Sequence, residues 1–146
     1  MRQGQSIYEV VLAIGVVTAV LVAIVALVSL TQRNAILAKN RAKATRLTQE
    51  ASEWLRSQRN TDWNIFYAKA GSPAKTWCLN NLDFFQQSSC SSSQYVTNNE
   101  PFRREVNLTS ANVTNGLQVR ADIDVRWTDQ QGTHNVTSTT YFTNWQ

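Results

Sequence analysis

The chain begins with a long apolar segment that no charged residue interrupts. This segment runs from Val10 to Leu30, and its only breaks are Gly15, Thr18 and Ser29. As a helix it spans roughly 30 Å, which is the thickness of the hydrocarbon core of a bilayer. Helices of soluble proteins rarely stay apolar all round over such a length. The pattern therefore favours a membrane helix over a buried one.

A cleavable signal peptide is a second interpretation of the same segment. Small residues between Ala23 and Ser29 offer a conceivable cleavage site. The apolar part of a signal peptide is usually about 7–15 residues long, which is shorter than this run. The helical pattern also continues past Leu30, with no proline or glycine from Thr31 to Ala70. Both features favour a helix that is retained.

An apolar stripe continues along the polar half of the predicted helix. Good helix formers dominate this half, and apolar residues recur along it at spacings of three and four. The stripe consists of Ile36, Leu37, Ala44, Leu47, Ala51, Trp54 and Leu55. We predict one helix from about Ser6 to about Arg59. Half of it would lie in a membrane or filament core, and half would pack on a globular head.

Period-two alternation predicts strands in the C-terminal part of the chain. Apolar residues alternate with charged ones, so one face is expected to be buried and the other charged. The apolar set is Val119, Ala121, Ile123, Val125 and Trp127, and the charged set is Arg120, Asp122, Asp124 and Arg126. Further strands are predicted at Phe102–Leu108 and Asn135–Thr143, with Asp129–Gly132 as a hairpin loop. The aromatic run Trp63–Tyr67 is expected to begin the strand-like part of the head.

The order of these elements predicts an α+β fold, a long N-terminal α-helix packed on a C-terminal antiparallel β-sheet. A length of 146 residues suits an anchor plus one domain.

The formal net charge is +4, and basic residues follow the membrane segment at Arg33, Lys39, Arg41, Lys43 and Arg46. No aromatic residues interleave them, so we interpret them as a solvated helix face rather than a nucleic-acid patch. They also suit contact with anionic lipid.

One acid, Glu9, lies directly before the apolar segment. A carboxylate inside a membrane helix costs a few kcal/mol, and it usually has a partner and a role. No Lys or Arg lies three or four residues away to pair with it in its own helix, which points to a partner in another chain. The alternative is that Glu9 lies at the membrane interface and contacts water.

The N-terminus resembles that of type IV prepilins and type II secretion pseudopilins. Arg2 and Gly4 match a short basic leader that ends in glycine, and Glu9 matches the glutamate at the fifth position of the mature chain. The resemblance implies that a prepilin peptidase cleaves between Gly4 and Gln5. It also implies that Glu9 pairs with the N-terminal amine of a neighbouring subunit. Gln5 departs from the phenylalanine or methionine that is usual at this position, which leaves its N-methylation open.

Arg46 to Trp63 is a second point of likeness, since it resembles the helix end of minor pilins of the PilV or pseudopilin I type. The two resemblances imply a pilin-like fold. They divide the chain into a leader (residues 1–4), a transmembrane or filament-core helix (5–32), an amphipathic helix (33–60) and a β-rich head with a disulfide loop (61–146). They also imply a single pass through the inner (cytoplasmic) membrane with the head outside, followed by a cell-surface or periplasmic filament.

Outside the membrane, Cys78 and Cys90 are expected to form a disulfide, which would contribute roughly 2–3 kcal/mol. A metal site needs about four ligands, and His134 is the sole histidine. Asp122 and Asp124 share a strand face, but the flanking arginines predict a solvated charge ladder rather than a glycosidase or Ca²⁺ site. The sequence therefore predicts no catalytic site, no metal and no cofactor.

Three functions remain open from the sequence. The first is a structural minor pilin or pseudopilin, whose partners are a prepilin peptidase, other pilin or pseudopilin subunits through the N-terminal helix, and membrane lipid before assembly. The second is a single-pass, membrane-anchored extracytoplasmic binding module. The third is a DNA-binding pilin of an uptake system, which would explain the basic charge.

Overall fold

The structure is a computed structural model that describes residues 7–96, 100–113 and 116–144. Two helices precede four strands: α1 (Ile7–Thr61), α2 (Trp63–Ala68), β1 (Lys75–Cys78), β2 (Arg103–Val113), β3 (Gly116–Asp129) and β4 (Gly132–Thr143). The outer part of α1 packs on an antiparallel sheet, which confirms the α+β prediction. The chain divides into two compact units, Met1–Asn40 and Arg41–Gln146.

The described part of the first unit is helical and apolar on all sides. Every large apolar side chain from Ile7 to Leu30 that lies in α1 is exposed. The hydroxyl groups within and just after the apolar segment donate to backbone carbonyls four residues earlier, which satisfies them inside the helix. These bonds run from Thr18 to Ile14, from Ser29 to Val25 and from Thr31 to Leu27, at 2.7 to 2.9 Å.

In the second unit, the helical stripe is buried against the sheet. Its buried members are Ala44, Leu47, Thr48, Ala51 and Leu55. Ile36, which the spacing assigns to the same stripe, is 58% exposed. Residues at this spacing share a helix face, but they are buried only where another element packs against that face. Among the described residues, burial of the stripe begins at Ala44.

The aromatic run after α1 forms the short helix α2, so the expectation of a strand-like start to the head is wrong. Asp62 has an extended backbone, and its carboxylate accepts a hydrogen bond from the Ile65 N–H at 2.9 Å. This N-cap satisfies an N–H group that a helix start leaves free, and so it favours a helix over an extended chain. Phe66 is then directed into the core at 1% exposure.

The four strands are hydrogen-bonded in chain order, β1-β2-β3-β4, and every pair is antiparallel. Val106 lies opposite Ile123 in the first long pairing, and Ile123 lies opposite Ser138 in the second. The predicted hairpin at Asp129–Gly132 is confirmed, since Asp129 pairs with Gly132 across the turn. Gly132 has a positive φ of 126°, which only glycine adopts without strain.

The core lies between the inner face of the sheet and the outer part of α1. The predicted inward residues of β3 are all buried, from Val119 to Trp127. Val119, Ala121 and Ile123 join residues of α1, α2 and β2 in a single hydrophobic cluster. Phe66 and Phe142 meet edge to face in it, with ring centres 5.3 Å apart, a geometry that adds to the gain from apolar burial.

β4 is an outer strand of the sheet and is long for an edge. Among the described residues no further strand pairs with it. Between Gly132 and Thr143 it has no Lys, Arg, Asp, Glu or Pro, the residues that most often protect an exposed edge from pairing with other chains. One carbonyl at its end is covered, because Arg59 Nη1 donates to Thr143 O at 3.2 Å.

The predicted disulfide between Cys78 and Cys90 is present. Cys78 is the last residue of β1, and its N–H donates to Gln86 O at 3.1 Å. The Cys90 N–H donates to Glu105 Oε1 of β2 at 2.8 Å. The bridge thus holds a loop without regular structure against the first two strands.

Candidate functional site

The predicted processing site, Gly4 and Gln5, lies outside the described residues. Glu9 lies in the first turn of α1 and is exposed. In the part of the chain that the structure describes, its carboxylate forms no ion pair. An acid in the first helical turn interacts favourably with the free N–H groups there, so Glu9 can stabilise the start of the helix in water.

α1 is the one helix, within residues 7–96, 100–113 and 116–144, that is long and apolar enough to cross a membrane. Its most apolar stretch has a mean hydropathy of 3.1 and none of that stretch is buried. Core helices of soluble proteins are mostly buried, so this stretch differs from them. An N-terminal signal sequence can pass the same test of length and composition.

In the second unit, a buried arginine joins β2 to α1 and to the loop after β1. Arg104 is 1% exposed. Its Nε donates to Leu79 O at 3.0 Å, and its Nη1 donates to Leu47 O at 3.1 Å and to Glu50 Oε2 at 2.9 Å. Its backbone N–H donates to Asn80 Oδ1 at 2.8 Å. One side chain therefore fixes three segments of the fold.

Burial lowers the pKa of the Arg104 guanidinium, because the charged form loses its hydration. The hydrogen bond and the negative charge of Glu50 act in the opposite direction. The alternation of inward and outward positions along β2 indicates burial of Arg104, although the residue is not among the predicted core or site residues. Arg104 occupies an inward position of β2, between the buried residues Phe102 and Val106.

A cleft of about 630 Å³ opens beside Arg104. Its charged lining residues are Lys43, Arg46, Glu50, Glu100 and Arg104. Lys43 pairs with Glu100, and Glu50 pairs with Arg104, so most of these charges are already compensated. Among the described residues, no group of His, Cys, Asp and Glu side chains is placed to hold a metal ion.

A second concavity, which we call the aromatic groove, lies between α1, α2 and the disulfide loop. Its volume is about 580 Å³, and its apolar side chains include Trp54, Ile65, Phe84 and Phe85. The rings of Trp54 and Phe84 are 4.8 Å apart. Phe85 is 93% exposed and Ile65 is 63% exposed. A cluster of this kind on a protein surface indicates an interaction site more often than isolated exposed residues do.

Two carboxylates, Asp62 and Asp83, also line the aromatic groove. Each accepts a backbone hydrogen bond, Asp62 from Ile65 and Asp83 from Phe85. Lys69 lies at the same groove, with its ammonium 5.8 Å from the centre of the Phe84 ring. The groove therefore combines an apolar surface with an excess of negative charge.

The charge ladder predicted on β3 is present, but its two acids differ. Arg120 pairs with Asp122, and Arg126 pairs with Asp124. Asp124 is only 8% exposed, so the prediction of a solvated ladder is wrong for this acid, which also accepts a hydrogen bond from Asn135 of β4 at 3.1 Å. Each carboxylate is thus paired to an arginine of its own strand.

His134 lies beside the β3–β4 turn and contacts residues that the sequence did not connect with it. Its ring stacks on Trp127 with ring centres 5.3 Å apart, and its Nε2 lies 3.1 Å from Asp129 Oδ1. The pKa of Asp129 is lowered, chiefly because its carboxylate accepts the Gln131 N–H and also interacts with His134. This cluster stabilises the turn.

Comparison of the chain with models of protein families, with curated proteins and with solved structures finds no match. Its function therefore has to be inferred from its residues and their geometry.

Proposed function

We propose that the chain is a structural minor pilin or pseudopilin subunit, cleaved after Gly4 by a prepilin peptidase and assembled into an extracytoplasmic filament. The observation that carries this proposal is the apolar segment of α1, which is exposed along its whole length and has one acid at its start. Such a helix needs lipid or other helices around it. A membrane supplies the first environment and a filament core supplies the second.

Glu9 gives this assembly its specificity. A carboxylate that enters an apolar bundle without a partner loses its hydration at a cost of several kcal/mol. Cleavage after Gly4 creates a new α-amine, whose reference pKa near 8 keeps it charged at neutral pH. Pairing of Glu9 with the amine of a neighbouring subunit neutralises both groups, and it does so in only one register of the helices.

The disulfide supports a location of the head in an oxidising compartment, outside the cytoplasm.

The basic residues after the apolar segment give little support to the DNA-binding alternative. At 3.6 residues per turn, Lys39 and Arg41 lie on opposite sides of α1. Lys43 pairs with Glu100. Lys39 and Arg46 do share the side of α1 on which Lys43 lies, at i, i+4 and i+7 spacing. The acid that pairs with Lys43 interrupts the continuous cationic face that duplex DNA requires.

Co-expression of the full chain with a prepilin peptidase tests this proposal, with the mass of the product as the readout. We expect a mature chain that begins at Gln5. A Gly4→Leu variant should stay uncut. The matched control is Gly15→Ala, which should be cut normally, because an added Cβ meets no atom within 4 Å.

The other two outcomes identify the alternatives. A cut between Ala23 and Ser29 would mean that the apolar segment is a signal peptide. An intact N-terminus on a membrane-bound chain would mean a single-pass anchored binding module.

A further inference from the structure

The aromatic groove has the properties of a docking site for an apolar side chain flanked by positive charges. Its exposed apolar residues are Ile65 and Phe85. Neither Asp62 nor Asp83 forms an ion pair with a basic side chain within the described ranges. An occupant that places cations beside these acids, and an aliphatic group between them, would complement the groove in both shape and charge.

The chain itself carries such a group, on α1. Ile36 is 58% exposed. Arg33 and Lys39 lie three residues before and three residues after it, so all three side chains share one face of the helix. Both cations are exposed, and neither pairs with an acid in the part of the chain that the structure describes.

We propose that the aromatic groove of one copy binds the Arg33–Lys39 face of α1 of a second copy. Ile36 contacts the Ile65 and Phe85 side chains, while its two flanking cations lie opposite Asp62 and Asp83. The two surfaces belong to different units of the chain, Met1–Asn40 and Arg41–Gln146, and the contact is one between copies.

This inference rests on the proposed function and adds the contact between neighbouring heads. The groove and the helix face are different surfaces, so each copy uses one surface toward one neighbour and the other toward the next. Repetition of such a head-to-tail contact is open-ended unless it closes into a ring, and this is the symmetry that a filament requires. A contact of this size is weak alone, and its repetition along a filament held together by the N-terminal helices raises the effective concentration of the two surfaces.

Pairwise cross-linking of the full-length chain in cells that assemble filaments tests the contact. Two differently tagged copies are co-expressed, one carrying Ile36→Cys and the other carrying Phe85→Cys, and a short bismaleimide is added. We expect a dimer that contains both tags. The matched control replaces Phe85→Cys with Tyr141→Cys, which lies on β4 and is also exposed, at 59%. This control should give no such dimer.

Charge variants of the same pair test the recognition itself. Asp83→Asn keeps an acceptor for the Phe85 N–H and removes the charge, so the heterodimer yield should fall about two- to fivefold, the range for one exposed ion pair. Asp83→Lys should lower the yield further. Lys39→Glu on the other copy should then restore it, which no general loss of folding would produce.

Each other outcome would overturn the inference. Cross-links between two Phe85→Cys copies alone would show that the groove docks against itself. A Phe85→Cys cross-link to a different protein would make that protein the occupant. Absence of a cross-link in assembled filaments of mature, disulfide-bonded chain would reject the contact while leaving the proposed function standing. An uncut leader in the same sample would instead count against the proposed function.

Discussion

Arg104 and Glu50 form an ion pair in which one partner is buried and the other is not. The side chain of Arg104 is 1% exposed and that of Glu50 is 52% exposed, with Nη1 and Oε2 2.9 Å apart. The cation therefore depends on backbone carbonyls as much as on its acid. Leu79 and Leu47 supply these carbonyls from two other segments.

Because of this asymmetry, Arg104→Ala and Glu50→Gln should differ strongly in their effects on stability. Loss of the arginine leaves a cavity and buried acceptors without a donor, and we expect about 3–5 kcal/mol lower free energy of unfolding. Glu50→Gln keeps an acceptor at an exposed position, so we expect a loss of about 1 kcal/mol or less. Chemical denaturation of the full chain in detergent, followed by tryptophan fluorescence, measures both. Equal effects would contradict the role assigned to the buried cation.

The lowered pKa of Asp129 makes the β3–β4 turn sensitive to acid. A group whose folded pKa lies below its unfolded value contributes stability above the unfolded pKa, about 3.9 for aspartate, and loses that contribution as the pH falls through the folded pKa. Asp129→Asn should therefore lower stability at pH 6. Its difference from the parent chain should shrink as the pH falls below about 4. Unfolding measured from pH 6 to pH 2 tests this, and a constant difference over that range would count against it.

Removal of the disulfide should weaken the head without changing the membrane segment. Replacement of Cys78 and Cys90 together by serine should lower the free energy of unfolding by roughly 3 kcal/mol, since the loop closed by the bridge is short. The apolar part of α1 lies in the other compact unit, so membrane insertion should be unchanged. Fractionation and denaturation of the same double variant provide the two measurements.

Glu9 should matter for assembly and not for insertion. Glu9→Ala removes the group that pairs with a neighbouring N-terminal amine, and its helix stays as apolar as before. We expect normal membrane insertion and poor incorporation into filaments, measured by shearing filaments from cells and quantifying the subunit. The matched control is Glu53→Ala, which removes an exposed acid from the outer part of α1 and should be incorporated normally. Unchanged incorporation of Glu9→Ala would mean that Glu9 is merely interfacial.

Patterns that repeat along the chain predicted most of the fold. The apolar run and the stripe located the C-terminal end of α1 to within two residues, whereas the predicted start at Ser6 lies outside the described residues. The alternation from Val119 to Trp127 assigned the buried face of β3. Both patterns are local consequences of the 3.6- and 2-residue periods. Pairing of Cys78 with Cys90 followed from there being two cysteines in a chain expected outside the cytoplasm.

Features that depend on contacts between distant segments were not predictable in this way. The aromatic residues of the short helix α2 favour strands. The N-cap formed by Asp62 instead favours a helix at this position. The aromatic groove combines Trp54, Ile65 and Phe85 from three segments. Alternation in β2 gives a signal for an inward Arg104, but the Leu47 and Leu79 carbonyls that satisfy its buried side chain come from two other segments.

The uncharged edge of β4 has a practical consequence for any study of the head on its own. Backbone groups along Gly132–Thr143 can accept an extended chain, and nothing in the sequence of that strand repels one. The purified head without its membrane segment should therefore form ordered aggregates at high concentration. Thioflavin fluorescence, which reports such aggregates, should increase over time. Thr137→Lys adds a charge at an exposed position of β4, so this variant should not aggregate and its thioflavin fluorescence should stay constant.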